Sequence, residues 1–236
     1  MGAAEPGLDY AALRLSLELG ALTALSLLVI GLPIAYWLAF TGWRYKFLVE
    51  SVVALPLVLP PTVLGLYVLL AIGPRGPLGR VHEMLGGSPL PFSFAGLLIA
   101  SILYSLPFAV QPFAAAMAGV DRRLIEAAWC LGVSRVGTFR RVILPLSLPG
   151  IVTGVVLSFA HTLGEFGVVL MVGGNLEGKT RTVSIAIYDS VQALDYATAF
   201  RTSLLLLGVS FAVLALTYSL QRSLLAVWPL GRSHSR

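Results

Sequence analysis

The sequence predicts an all-α, polytopic integral-membrane bundle of five to six spanning segments. Of its 236 residues, 57% are apolar and only 11% charged, the mean hydropathy is +0.89, and five long windows contain no Asp, Glu, Lys or Arg. Soluble domains carry about 25% charged residues, so this composition places the chain in a bilayer. The windows are 19–40, 51–74, 84–120, 142–163 and 202–221. Each holds the ~20 residues that cross ~30 Å of hydrocarbon. The fourth window continues past Glu165 to Leu176 and can break in two, which leaves room for a sixth embedded segment. No internal repeat or low-complexity tract divides the chain, so one transmembrane domain over 1–236 is expected.

The first span, about 13–40, begins with Arg14 and Glu18, one helical turn apart and able to pair at the interface. No basic region and small-residue cleavage site precedes it, so it is expected to remain in the mature protein. The second, about 47–72, carries Pro56, Pro60 and Pro61. Each proline removes an amide donor and crowds the preceding turn, so a broken helix is expected. Broken backbone at membrane depth is tolerated where protein or a water-filled cavity satisfies the freed carbonyls, which makes Pro60, Pro61 and Thr62 candidates for a translocation path. Residues 73–91, rich in Gly and Pro, have the chemistry of an external loop. The third span, about 92–118, contains Pro107 and Pro112, with Tyr104, Ser105 and Gln111 available to face a cavity.

Next comes a polar, arginine-bearing island. Asp121 is the expected N-cap of a short helix from 122 to 131, which Gly132 stops. Leu124, Ala128 and Leu131 fall on one face at i, i+4, i+7, with the small Ala127 beside them. Such a helix cannot bury that face alone, and small side chains let a partner backbone approach closely. Cys130, the only cysteine, reads as a small packing residue in this helix and excludes any intrachain disulfide. Ser134 caps a second short helix that carries Arg135, Arg140 and Arg141 and is expected to end near Pro145. In the fourth span, Glu165 lies one turn after His161. An ionisable group at the bilayer centre costs about 2.5–3.5 kcal/mol on insertion scales, so Glu165 is expected to face protein or water. Three readings stay open for it: a gate or packing element paired with a backbone amide or His161, a proton relay with His161, or an interfacial residue in contact with water. Ser158, Thr162 and Phe166 complete the pathway candidates. The Gly-rich run 173–182 is an external turn and lacks the Walker spacing, so no ATP site is expected in this chain.

Placing the island in the cytoplasm puts ten basic residues inside: Arg44, Lys46, Arg122, Arg123, Arg135, Arg140, Arg141, Arg222, Arg232 and Arg236. Six lie outside: Arg14, Arg75, Arg80, Lys179, Arg181 and Arg201. That bias favours N-out, C-in for five spans. It also accounts for the pI near 9.7 without nucleic acid, because no aromatic-basic stripe is present. Neither a metal-ligand cluster nor a nucleophile beside a base supports a membrane enzyme.

Glu126-Ala127-Ala128, Gly132 four residues on and the downstream Leu144-Pro145 closely resemble the EAA signature of ABC-importer permeases. Gly-Glu-Phe-Gly at 164–167, Gly-Asn at 174–175, Gly-Lys-Thr-Arg-Thr at 178–182, Ile-Ala-Ile-Tyr-Asp at 185–189 and Val-Gln-Ala-Leu-Asp-Tyr at 191–196 are similar to the molybdate permeases of bacterial and archaeal ABC importers, as is 54–65. The resemblance runs from about residue 10 to 225. It implies a type I ABC-importer permease fold in a bacterial or archaeal cell membrane, surrounded by lipid and acting as a homodimer. The implied partners are two ABC ATPase subunits and a periplasmic or extracellular oxyanion-binding protein. ATP and Mg are expected in the ATPase, with no cofactor and no catalytic residue in this chain. The implied cargo is molybdate or tungstate, with sulfate as the alternative; a proton-coupled secondary transporter using His161 and Glu165 is the rival of another class. The coupling segment, about 119–141, would engage the ATPase through Asp121, Arg123, Glu126, Ala127, Ala128, Leu131 and Gly132.

Overall fold

A computed structural model describes the backbone of residues 9–227 and the side chains through 219. Arg232, Arg236 and the side chain of Arg222, counted above on the inner side, lie outside the described residues. The chain forms α1 (Tyr10–Phe40), α2 (Lys46–Val58), α3 (Pro61–Ile72), α4 (Pro77–Met84), α5 (Phe94–Ala118), α6 (Arg122–Cys130) and α7 (Arg135–Thr138). A π-helical turn (Phe139–Ile143) follows, then α8 (Leu144–Gly164), α9 (Gly167–Gly173), α10 (Val183–Gln192) and α11 (Tyr196–Val227).

Five helical stretches among the described residues are long and apolar enough to cross a membrane. Four are α1, α5, the α7-to-α8 run and α11. The fifth, Pro61–Met84, joins α3 to α4 across a turn. We assign the second crossing to α2 and α3, because α4 carries Arg80, His82 and Glu83 whereas 51–74 is uncharged. As expected, the second span breaks at Leu59 and Pro60, where the backbone is extended.

α5 is the central helix, packed between α1 and α8. Its fit to α8 depends on small residues: a Cβ on Gly154 would come within 2.5 Å of the Phe113 ring and 2.9 Å of the Ala109 carbonyl. Gly150 and Gly154 thus let two backbones approach as small-xxx-small pairs do in membranes. The apolar packing divides by depth. Leu38, Val53, Met117, Val120, Ile125 and Ile143 cluster at the end that holds α6, while Leu15, Leu19, Leu97, Val169 and Ile185 cluster at the opposite end. The expected Arg14–Glu18 pair forms, at 2.7 Å.

One boundary departs from expectation. The helix capped by Ser134 does not end near Pro145. It continues as a 30-residue run, Arg135–Gly164, because the π turn bonds the Leu144 N–H to the Phe139 carbonyl, one residue further back than an α-helix would. The widened turn absorbs the missing donor and the ring of Pro145.

Candidate functional site

Two sets of residues separate along the long axis. At the α6 end, the Asp121 carboxylate accepts from the Arg123 N–H at 2.9 Å, satisfying one free donor of the first turn. Gly132 has φ +75°; its N–H donates to the Trp129 carbonyl and that of Val133 to the Ala128 carbonyl. This is a Schellman stop, and a left-handed residue there favours glycine. Asp121 and Gly132 therefore fix the length of α6, and both are exposed at its ends.

The expected face is rotated. Ile125 and Ala128 are the buried residues of α6, so Ala128 packs on its own chain. Leu124, Ala127 and Leu131 are exposed together with Arg123 and Glu126. The single face predicted from Leu124, Ala128 and Leu131 is corrected to Leu124, Ala127 and Leu131, because Ile125 competes for the inward position and brings Ala128 with it. Cys130 is exposed rather than packed.

At the opposite end, the two broken spans meet. α8 stops at Gly164 and α9 starts at Gly167, leaving Glu165 and Phe166 in non-helical conformations. A Cβ on Gly167 would lie 2.8 Å from Cβ of Pro61, and one on Gly65 would lie 2.8 Å from Cβ of Met171. The outer halves α3 and α9 thus pack backbone to backbone, joined through these glycines, directly beyond both breaks. Pro60, Pro61 and Thr62 are exposed at the start of α3.

Glu165 is 4% exposed, and no hydrogen bond within 3.5 Å reaches either carboxylate oxygen, although the Ser101 hydroxyl of α5 interacts with it. The interfacial reading is therefore set aside, and so is pairing with His161. The His161 ring nitrogen Nδ1 instead shares a 2.9 Å hydrogen bond with Ser105 Oγ, and its ring stacks on Phe108 with centroids 3.9 Å apart. Ser105 also bonds Thr162 Oγ1 at 2.9 Å, Thr162 donates to the Ser158 carbonyl, and Ser158 donates to the Val155 carbonyl. Ser158 and Thr162 are both buried; Thr162 ties α8 to α5 through Ser105, whereas Ser158 bonds only within α8. Phe166 packs its ring on Tyr188, centroids 4.9 Å apart.

A third cluster went unassigned in the sequence. Arg181 reaches Asp9 at 3.8 Å and Asp189 at 3.3 Å; its Nε donates to Asn175 at 2.7 Å, and Asn175 in turn bonds Asp189. Thr180 closes the same turn by donating to the Gly173 carbonyl at 2.7 Å. The motif residues of 174–189 therefore hold the outer turn to α10 and to the start of α1. The sequence signal was their recurrence as short polar motifs, but their convergence depends on the turn. Among the described residues no group of three or more His, Cys, Asp or Glu can hold a metal ion.

Residues 31–226 match the family of binding-protein-dependent transport system inner membrane components. The chain is 52% identical over 214 residues to the molybdenum transport system permease protein ModB of Azotobacter vinelandii, covering 91% of this chain and 95% of that protein. It is 34% identical over 206 residues to a probable sulfate transport system permease protein cysT of Prototheca wickerhamii, covering 87% and 80% respectively. In fold it matches a chain of a bacterial alginate ABC transporter in complex with an alginate pentasaccharide-bound periplasmic protein, with TM-score 0.73 and 19% identity over 90% of this chain and 78% of that one. Five apolar crossings, a polar segment between the third and fourth, and these matches agree: the chain is a multi-pass membrane protein that belongs to the family of binding-protein-dependent transport system inner membrane components.

Proposed function

We propose that this chain is the transmembrane permease of an ATP-driven importer for the tetrahedral oxyanion molybdate, with tungstate accepted through its like charge and shape. The identity to a molybdenum permease across nearly the whole of both chains carries this reading, and the more distant similarity to a sulfate permease ranks sulfate below it. The permease acts as a homodimer with two ATPase subunits, which bind ATP and Mg, and with an external binding protein that delivers the anion. The exposed Leu124, Ala127 and Leu131, flanked by Arg123 and Glu126, seat α6 in the ATPase, while Asp121 and Gly132 fix its ends and Ala128 anchors it to the bundle.

Force applied at α6 has a continuous path to the membrane site. The Arg135–Gly164 run spans about 45 Å at 1.5 Å per residue, and it ends at Glu165, where the backbone can bend. Closure of the ATPases then tilts this rod, and α9 with its partner α3 moves as the outer leaf of a gate about Pro60–Pro61 and Glu165–Phe166. Thr62 lies on that leaf, Thr162 holds the rod to α5 through Ser105 during the motion, and Ser158 is buried on the rod itself.

ATP hydrolysis by the chain reconstituted in liposomes with its ATPase and binding protein tests this, with molybdate, tungstate and sulfate at matched concentrations. Stimulation by molybdate or tungstate and not by sulfate is expected. Stimulation by sulfate alone reassigns the cargo, and failure to associate with any ATPase rejects the importer.

A further inference from the structure

Two hollows at the cytoplasmic end meet at one cation. A groove of about 640 Å³ runs between α1 and the segment from α7 to the π turn, walled by Leu28, Leu32, Pro33, Val136 and Phe139. A second hollow, of about 350 Å³, lies between the end of α1 and α6 and holds Arg122, Glu126 and Trp129. Tyr36 and Arg135 line both. The first hollow is apolar apart from Arg135 and continues along α1 to Val29, which is 72% exposed, at hydrocarbon depth. The second lies beside the cytoplasmic segment and sets Arg122, Arg135 and Glu126 among aromatic and aliphatic side chains. Neither Arg122 nor Arg135 takes part in an ion pair among the described residues. Arg122, Arg135 and Glu126 together leave one net positive charge in the second hollow, and Trp129 and Tyr36 supply the amphipathic rings typical of a membrane interface.

An apolar slot that opens into a cationic pocket at headgroup level matches one chemistry. We propose that these hollows form a binding site for a monoanionic phospholipid of the inner leaflet. One acyl chain lies along α1 in the groove, and the phosphate sits between Arg122 and Arg135. Each buried methylene and each cation near the surface adds to affinity. The bound lipid bridges α1 to the coupling segment and braces it against the bundle. The inference rests on the membrane placement and not on the identity of the cargo.

The full-length chain is purified in detergent, stripped of lipid and titrated with phosphatidylglycerol, phosphatidylcholine of the same chains or glycerol phosphate, with adducts read by native mass spectrometry. Phosphatidylglycerol is expected to bind more tightly than phosphatidylcholine, and glycerol phosphate is expected not to compete. Arg122→Gln and Arg135→Gln each reduce phosphatidylglycerol binding about fivefold, the effect of one cation at an anionic surface, and reduce phosphatidylcholine binding less, because its choline cation offsets the charge of the same phosphate. Val29→Trp weakens both phospholipids by filling the slot. Equal binding of the two headgroups overturns the proposal, as does competition by glycerol phosphate, which marks a simple anion site. A Val29→Trp change that dissociates a dimer without altering lipid retention also overturns it, because the groove would then be an interface between copies. The headgroup comparison uses the unaltered chain, so it decides the matter even where a variant fails to fold.

Discussion

Ala127 and Ala128 are neighbours in the sequence and fall on different faces of α6, which separates two effects that composition alone would merge. Ala127 is exposed on α6, whereas Ala128 is only 8% exposed. Ala127→Arg should weaken association with the ATPase by about tenfold or more, as expected for a residue at the centre of an interface, and leave the melting temperature of the isolated permease unchanged. Ala128→Arg should lower that temperature, since overpacking a filled site costs about 1–3 kcal/mol. Copurification and thermal melting of both variants check the pair; identical behaviour would refute the assigned orientation. Glu165 gives a second prediction. Its carboxylate is buried with the Ser101 hydroxyl beside it, so Glu165→Gln should raise the melting temperature by removing an ionisable group while slowing molybdate uptake. Unchanged uptake would take Glu165 out of the gate. The importance of Glu165 was legible in the sequence, because a carboxylate in an apolar span needs a reason. Its separation from His161 was not, because Ser105 lies on another helix and claims that ring.

Helix ends were legible wherever one residue's chemistry sets them. Asp121 and Gly132 bound α6 as their caps dictate, and the prolines at 60 and 61 split the second span. The run through Pro145 was not legible, because a π turn depends on shifting a whole hydrogen-bond register and leaves no mark in residue order. The pairing of α3 with α9 was hidden for a different reason. Gly65 and Gly167 stand in motifs that carry the family resemblance, but a motif does not say what a glycine touches, and only the fold shows that each is filled from the other side, by Met171 and Pro61. Gly65→Leu should therefore force α3 from α9. Close approach through a small residue is what holds membrane helices together, so transport should fall at least severalfold while ATPase association persists, since α6 lies at the far end. Paired uptake and copurification assays measure this. Loss of both would mean that the outer leaf and the coupling segment are not separable units, and loss of neither would mean that α3 and α9 do not form a leaf.

At the scale of the whole molecule, five crossings put α6 and the start of α1 on opposite sides of the bilayer, with the basic residues deciding which side is inside. The packing agrees with that division: Ile125 of α6 clusters with Leu38 and Val53, while Leu15 of α1 clusters with Val169 and Ile185 at the other end. Cys130 turns this into a measurement. It is the only cysteine of the chain, and it is exposed beside the face assigned to the ATPase, so one thiol reports on one surface. A membrane-impermeant maleimide should leave the permease unlabelled in intact cells and label it in inside-out vesicles. Added ATPase should then protect the thiol, because Cys130 adjoins Leu131 at the end of α6. Labelling from the outside would invert the topology and place the coupling segment away from any source of ATP. Labelling from the inside without protection would keep the topology and move the docking surface off α6. The two readouts thus separate the orientation of the molecule from the identity of its contact face, in a single chain that needs no added cysteine.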